Sequence, residues 1–167
     1  MGSGKTTICK KLARKLSMEW VDLDLEIEKE QKQSVQDIFD KNGELFFRHL
    51  EHQMLQQIIK KNNLVIACGG GTPCFYDAMS LMNSHGITIY LKHTPESLYS
   101  RLVQSKSGRP LLKNRNEETL LNYIKETLFD REPTYLKAKI IQKGLKINLN
   151  ELENQIIALS LNLEQNF

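Results

Sequence analysis

Gly2-Ser3-Gly4-Lys5-Thr6-Thr7 begins at the second residue of the chain and leads directly into a segment with the apolar spacing of a helix. The stretch matches the second half of the phosphate-binding pattern G-x-x-x-x-G-K-[ST], in which main-chain N–H groups and a helix N-terminus surround phosphate oxygens. Lys5 would contact the outer phosphates of a nucleotide, and the Thr6 hydroxyl would be a ligand of Mg²⁺. The alternative is a chance Gly-x-Gly-Lys-Thr before a helix, because the first glycine of the pattern would fall before Met1.

The rest of the chain alternates short apolar runs with amphipathic segments. The apolar runs predict strands at residues 20–23, 64–67, 87–91 and 138–142. Helical spacing is found at residues 7–16, 25–30, 35–42, 44–61, 95–102, 117–129 and 150–163. Gly43 separates two of these segments, and Asn150 and Glu153 are spaced as a capping box. Because nearly unbroken apolar strands that alternate with helices are typical of a covered parallel sheet, we expect a three-layer α/β fold in a single domain, residues 1–167.

The composition argues against several classes of protein. The chain is 40% hydrophobic and 26% charged, which is typical of a folded globular protein. Its net charge of +3 is too small to indicate a nucleic acid or an anionic membrane as partner. No apolar run approaches the roughly 20 residues of a transmembrane helix, and three cysteines, an odd number, suit a reducing compartment. We therefore expect a cytoplasmic protein without nucleic-acid or membrane partners.

Two short polar patterns could carry chemistry. Asp22 and Asp24 end a predicted strand, where ligands gather in open α/β sheets. One carboxylate could lie near a phosphate-bound Mg²⁺ and the other could accept a proton from an attacking hydroxyl, or both could form an acidic turn at a helix start. Arg48 and Glu51 share one helix face and would make a rigid fork for a carboxylate, unless they form an ordinary surface ion pair.

Three further segments have both a functional and a simpler interpretation. Gly69-Gly70-Gly71 follows a predicted buried strand and suits a place where a ligand touches main chain, or a flexible loop. Residues 103–116 are polar, basic and rich in turn formers, which predicts a surface loop or a lid that brings Arg109 over an anion. Arg131 lies next to a helix end that we predict because of Pro133, where it could simply cap the helix.

Taken together and in this order, the motifs resemble those of shikimate kinases over essentially the whole chain. The resemblance rests on residues 2–7, the pair Asp22 and Asp24, Arg48 with Glu51, residues 69–71, residues 109–112 and residues 131–135. It implies a nucleoside-monophosphate-kinase-like P-loop fold with the parallel strand order 2-3-1-4-5, a helical substrate-binding region at about residues 24–60 and a lid at about 103–116. The implied reaction is Mg²⁺-dependent phosphoryl transfer from ATP to the 3-hydroxyl of shikimate, in the pathway to chorismate, with a monomer as the expected state.

On the nucleotide side, the resemblance assigns the ATP phosphates to residues 2–7. Thr6 would ligate Mg²⁺, and Asp22 would support the metal through water. Arg101 would stack near adenine. Arg109 would move with the lid toward the transferring phosphate and take part in catalysis.

On the acceptor side, the resemblance implies two catalytic residues and a set of substrate contacts. Lys5 would act on the phosphates, while Asp24 would bind the shikimate hydroxyls and act as base. Arg48 and Arg131 would bind the shikimate carboxylate. The glycine triplet, Gly70 above all, would offer main chain to a ring hydroxyl.

Two alternatives stay open at this point. A gluconate-kinase-like enzyme also joins a P-loop to a sugar acid, although the acidic pair with Arg48 and Arg131 fits shikimate better. The other alternative is a non-catalytic relict of a kinase. Two features of the family would precede Met1, namely strand 1 of the expected order and the first glycine of the phosphate loop. Burying four aliphatic side chains of such a strand is worth roughly 6–12 kcal/mol, against a total domain stability of about 5–15 kcal/mol. We expect either a start upstream of Met1 or a chain of low stability that binds ATP weakly.

Overall fold

A computed structural model describes residues 2–104, 117–144 and 147–164 of the protein. Its helices and strands are α1 Lys5–Leu16, β1 Glu19–Asp22, α2 Leu23–Gln31, α3 Val35–Ile58, β2 Leu64–Ala67, α4 Ala78–His85, β3 Ile89–Lys92, α5 Pro95–Gln104, α6 Glu117–Tyr135, β4 Ile140–Lys143 and α7 Leu149–Glu164. A short 3₁₀ turn, Thr72–Cys74, lies between β2 and α4. Every element predicted from the sequence is present within these ranges. Helix α4 was not predicted, because its eight residues mix apolar, polar and histidine side chains without a clear stripe.

The strands form two parallel pairs. Trp20 of β1 stands opposite Val65 of β2, and Tyr90 of β3 stands opposite Ile141 of β4. These are the neighbours 2-3 and 4-5 of the expected strand order, so that part of the prediction is confirmed. Among the described residues no hydrogen-bonded ladder joins β2 to β3.

Helices cover both faces of the first pair. Successive residues of a strand point to opposite faces, and Ile66 packs against the cluster around Leu55 of α3 while Val65 packs against Leu12 of α1. The cluster around Leu12 also contains Ile140 of β4 and residues of α7, so α1 contacts both strand pairs. This is the three-layer arrangement that the sequence predicted, and it places the carboxyl ends of β1 and β2 beside the start of α1.

Gly43 interrupts α3, as the sequence predicted. Its φ of 80° and ψ of 172° lie outside the helical region, and its positive φ is one that glycine adopts without strain. The chain therefore turns at this residue, and a second helical segment runs from Glu44 to Ile58. Glu44, Arg48 and Glu51 fall at successive turns of this second segment, on one face.

Two local predictions at helix ends were wrong. Helix α6 continues through Pro133 to Tyr135. The proline removes only one helix hydrogen bond, and the turn that contains it is closed by the Leu136 N–H, which donates to the Glu132 carbonyl at 2.9 Å. The cap of α7 is Asn148, whose Oδ1 accepts the main-chain N–H of Asn150 at 3.1 Å, so the expected capping box at Asn150 is not formed.

Within the described ranges, none of the helices combines the length and the apolar character that a membrane span requires.

Candidate active site

The phosphate loop runs into the N-terminus of α1 through Gly4, which has a left-handed φ of 83°. Glycine adopts this conformation at little cost, which explains its place immediately before the helix. The Ser3 carbonyl accepts hydrogen bonds from His93 Nε2 at 3.2 Å and from Arg101 NH1 at 3.4 Å. Arg101 therefore lies against the loop itself, and its expected position near adenine stays a prediction. Lys5 is the first residue of the helix, beside the N-terminal N–H groups that can bind an anion.

Asp22 joins the phosphate loop to the end of β1. The Thr6 hydroxyl donates to Asp22 Oδ2 at 2.6 Å, and the Asp24 N–H donates to Asp22 Oδ1 at 3.2 Å. The second bond makes Asp22 the N-cap of α2. The simpler reading of the pair as an acidic turn at a helix start therefore holds for Asp22, and the carboxylate is also bonded to the loop.

Asp24 lies in a mostly buried position among charged groups of both signs. Burial raises the pKa of its carboxyl, and the nearby carboxylates of Asp22 and Glu51 raise it further, whereas Lys5 and Arg48 oppose the shift. The net pKa is above the ordinary value. A carboxylate with a raised pKa is a better proton acceptor than an ordinary Asp, which is what a general base requires.

Arg48 and Glu51 form a buried ion pair and not an ordinary surface pair. Arg48 NH1 is 2.5 Å from Glu51 Oε2, and only 7% of Arg48 and 2% of Glu51 are exposed. Glu44, half exposed, accepts from Arg48 NH2 at 2.8 Å and from Nε at 3.1 Å. Glu51 also accepts the Thr72 hydroxyl at 2.6 Å. Burial alone would lower the pKa of Arg48, but the two glutamates outweigh it and raise the pKa, so the guanidinium stays charged.

The glycine triplet is held in close contact with these side chains. A Cβ on Gly71 would lie 2.4 Å from Arg48 Cζ, and a Cβ on Gly69 would lie 2.7 Å from Glu51 Oε1 and 3.2 Å from Asp24 Oδ1. Real Cβ atoms essentially never come within 3.0 Å of another heavy atom. The main chain at Gly69 and Gly71 therefore packs too closely against the charged groups to leave room for a side chain. This close packing argues against the interpretation of the triplet as a flexible loop.

Arg131 approaches the same region from α6. Its charge opposes the rise in pKa that burial causes in the Cys74 thiol and in the Tyr135 hydroxyl, so Arg131 lies near both groups. The Gly70 carbonyl accepts a hydrogen bond from Tyr135, four residues after Arg131 on the same helix. The structure thus brings together Lys5, Asp22, Asp24, Arg48, the glycine triplet and Arg131.

Two of the cysteines near this region, Cys9 and Cys68, have thiols that burial keeps protonated. Burial raises the pKa of the Cys68 thiol to about 12 and that of Cys9 to about 11. Both thiols are therefore neutral at physiological pH, and a neutral thiol reacts poorly.

Comparison with known proteins places this arrangement in a family. The sequence model of the family described as shikimate kinase matches residues 1–159. The chain belongs to the shikimate kinase family. A shikimate kinase of Azobacteroides pseudotrichonymphae genomovar. CFP2 is 44% identical over 153 residues, which cover 91% of this chain and 90% of the relative. A shikimate kinase of Phocaeicola vulgatus is 43% identical over 155 residues, or 93% of this chain and 86% of the relative.

Solved structures of shikimate kinases have the same fold as this family member. The crystal structure of shikimate kinase from Bacteroides thetaiotaomicron superposes with a TM-score of 0.84 at 38% identity, covering 98% of this chain and 94% of the other. The shikimate kinase of Acinetobacter baumannii in complex with shikimate gives a TM-score of 0.81 at 32% identity, covering 97% and 89%. The expected fold class is confirmed.

The oxygen atoms at the phosphate loop of this shikimate kinase family member fit Mg²⁺. Among the residues that the structure describes, no group of three His, Cys, Asp or Glu side chains could hold a metal ion. Mg²⁺ usually binds through one or two protein oxygens together with water and substrate phosphates. The Thr6 hydroxyl and the Asp22 carboxylate, 2.6 Å apart at the start of α1, offer such oxygens.

Several contacts of this family member were missed from the sequence. Glu44, Thr72 and Tyr135 were given no role, although each stands beside a residue that was given one: one turn before Arg48, directly after the glycine triplet, and one turn after Arg131. Arg109 and residues 105–116 of the expected lid lie outside the described residues. The role of Arg109 therefore stays a prediction.

Proposed function

We propose that this protein transfers the γ-phosphoryl group of ATP to the 3-hydroxyl of shikimate. One observation carries the proposal beyond family membership. Asp22 accepts hydrogen bonds from Thr6, next to Lys5 in the phosphate loop, and from the N–H of Asp24. A Cβ on Gly69 would meet both Asp24 Oδ1, at 3.2 Å, and Glu51 Oε1, at 2.7 Å, so the Asp24 carboxyl also lies beside the ion pair of Arg48 with Glu51. A phosphate-binding lysine, a proton acceptor and a carboxylate-binding arginine are therefore close together, which is what a kinase for a hydroxy acid needs.

The chemical step uses Asp24 and Lys5. The hydroxyl oxygen of the acceptor attacks the γ-phosphorus, the bond from that phosphorus to the β–γ bridging oxygen breaks, and ADP leaves. The hydroxyl proton passes to the carboxylate of Asp24, whose raised pKa favours this transfer. Lys5 stabilises the negative charge on the transferring phosphate oxygens.

Thr6 and Asp22 are the residues that would hold Mg²⁺, the second of them through water. When bound, Mg²⁺ neutralises charge on the phosphate oxygens. The Thr6 hydroxyl donates to Asp22, so the carboxylate fixes the direction of the hydroxyl and leaves its lone pairs available to a cation.

The acceptor is held by Arg48, Arg131 and the glycine triplet. The bonds of Arg48 to Glu44 and Glu51 leave, among the described residues, a further N–H on each terminal nitrogen for a substrate carboxylate. Arg131 adds the second positive charge. The main chain of Gly70 binds a ring hydroxyl, and Arg109 closes over the transferring phosphate.

We further assign the activity to a single domain, residues 1–167, with its substrate-binding region at about residues 24–60, acting as a monomer in the cytoplasm. Support for a reducing compartment comes from the cysteines, since Cys9, Cys68 and Cys74 are all unpaired. Size-exclusion chromatography with light scattering tests the monomer.

The test is ADP release, coupled to a spectroscopic readout, with ATP, Mg²⁺ and one acceptor at a time. We expect turnover with shikimate and little with gluconate or nucleoside monophosphates. The Lys5→Met protein, measured in parallel, controls for contaminating ATPases. Equal or greater turnover with gluconate would overturn the shikimate assignment, and absence of turnover with every acceptor would favour a non-catalytic relict.

A further inference from the structure

The Tyr135 hydroxyl links the two sides of the proposed acceptor site. Tyr135 stands at the end of α6 and donates a hydrogen bond to the main-chain carbonyl of Gly70, 65 residues away in sequence. We propose that Tyr135 is a positioning residue for shikimate, which fixes the main chain of the glycine triplet relative to Arg131. The inference rests on the proposed function, in which Arg131 and Gly70 bind the acceptor.

The first step concerns Arg131. It lies four residues before Tyr135 on the same helix, so the two side chains share a face. Burial raises the pKa of the Tyr135 hydroxyl, and the neighbouring Arg131 guanidinium offsets part of this rise through its charge and a hydrogen bond. The hydroxyl therefore lies in the field of the arginine charge and is hydrogen-bonded to the glycine carbonyl.

The second step concerns the peptide that Tyr135 holds. The Gly70 carbonyl and the Gly71 N–H belong to one planar unit, so a bond to the carbonyl fixes the orientation of both. Glycine residues have few steric limits on their backbone angles, and three in a row would rotate freely without a partner. Gly71 also lies directly against the guanidinium of Arg48. The bond from Tyr135 thus sets the position of main chain that both Arg48 and the acceptor contact.

The third step is that the tyrosine ring itself is fixed independently of its hydroxyl. It packs against the ring of Tyr90 on β3, with centroids 5.0 Å apart. Next to it, Glu132 accepts from Lys92 Nζ at 2.8 Å and from the Tyr90 hydroxyl at 3.3 Å. The end of α6 is therefore attached to β3, and removal of the Tyr135 hydroxyl alone leaves the ring in place.

The experiment compares Tyr135→Phe with Tyr90→Phe, two single-hydroxyl deletions in rings that contact each other. We expect Tyr135→Phe to raise the shikimate KM about three- to tenfold, the range for one hydrogen bond. The ATP KM, kcat and Tm stay close to those of the unmodified protein. Tyr90→Phe, whose hydroxyl bonds to Glu132 and not to the glycine triplet, leaves all four quantities unchanged.

Arg131→Ala is measured in parallel to separate this inference from the proposed function. If Arg131→Ala leaves the shikimate KM unchanged, the assigned acceptor site is wrong. If Arg131→Ala raises that KM and Tyr135→Phe does not, only the role of Tyr135 is overturned. The role is also overturned if Tyr135→Phe lowers Tm without changing the shikimate KM, changes the ATP KM equally, or does not fold, because each result indicates a structural residue.

Discussion

Replacing Gly71 by alanine tests the contact between Gly71 and Arg48 on which the proposed acceptor site depends. Gly71 has φ −84° and ψ −29°, values that any residue adopts, so the backbone itself is not strained by the change. The added Cβ, however, would lie 2.4 Å from Cζ, NH1 and NH2 of Arg48. The effect of Gly71→Ala therefore reports on the position of the guanidinium alone.

The expected magnitude follows from that distance. Carbon atoms in contact normally lie about 3.5–4.0 Å apart, so the guanidinium must move by roughly 1 Å. Such a movement is resisted by the 2.5 Å bond to Glu51, by Glu44 and by the Phe75 ring, whose centroid is 4.6 Å from Arg48 Cζ. Overpacking of this kind costs about 1–3 kcal/mol, which corresponds to a change of about fivefold to 140-fold in an equilibrium constant.

The assay measures steady-state kinetics and thermal unfolding of Gly71→Ala and of Gly86→Ala. We expect the shikimate KM of Gly71→Ala to rise at least about fivefold, with an unchanged ATP KM, and Tm to fall by about 2–12 °C. Gly86→Ala is the control, because its Cβ would meet only the Met82 carbonyl at 4.0 Å and its φ is −171°. If Gly71→Ala matches the unmodified protein in both shikimate KM and Tm, the guanidinium does not lie against Gly71.

Three further predictions concern charged residues. Lys5→Met should lower kcat at least about a hundredfold, as expected for the loss of one group that stabilises transition-state charge. A near-normal kcat in the ADP-release assay would show that Lys5 takes no part in the chemical step. Asp24→Asn should lower kcat by at least about a hundredfold. The same change should raise Tm at pH 7 but not below pH 3.8, the ordinary pKa of the group, and a lowered Tm at pH 7 would contradict the raised pKa. Glu44→Gln should lower the shikimate KM by up to about fivefold, the range for a partly exposed ion pair, because it removes a carboxylate that competes with the substrate for Arg48. A raised shikimate KM would show instead that Glu44 positions the arginine.

The fold was predictable because its signals are local. An apolar run ended by glycines, as at residues 64–71, and one-sided apolar spacing, as at residues 7–16, depend only on neighbouring residues. Helix α4 lacks such a signal, and its place is set by packing of Ala78 in the core around Leu55. Pro133 gave the wrong helix end, since the contacts of Glu132 and Tyr135 with β3 and Gly70 hold the turn that contains it.

The site residues were predictable by type and only partly by environment. Sequence spacing puts Arg48 and Glu51 on one face, but whether that face is buried depends on Thr72 and Phe75, which are distant in sequence. For the same reason the surface-pair interpretation could not be dismissed beforehand. The contact of Tyr135 with Gly70 joins two segments 65 residues apart, and no local sequence pattern predicts it.

The raised pKa of Asp24 indicates that its charge opposes folding. Because the folded state binds the proton more tightly than the unfolded state, stability falls as pH rises from 3.8 through the folded pKa, and the loss is complete above it. At neutral pH Asp24 therefore destabilises the fold, and burial is the largest cause. A neutral asparagine of nearly the same shape would remove this penalty, so structure alone gives no reason for an aspartate here. The proposed reaction supplies a reason: a proton acceptor must be ionised in the resting enzyme and still basic enough to take the hydroxyl proton. The same surroundings that raise the pKa, the carboxylates of Asp22 and Glu51 at a buried position, thus weaken the fold and prepare Asp24 for its proposed role as base.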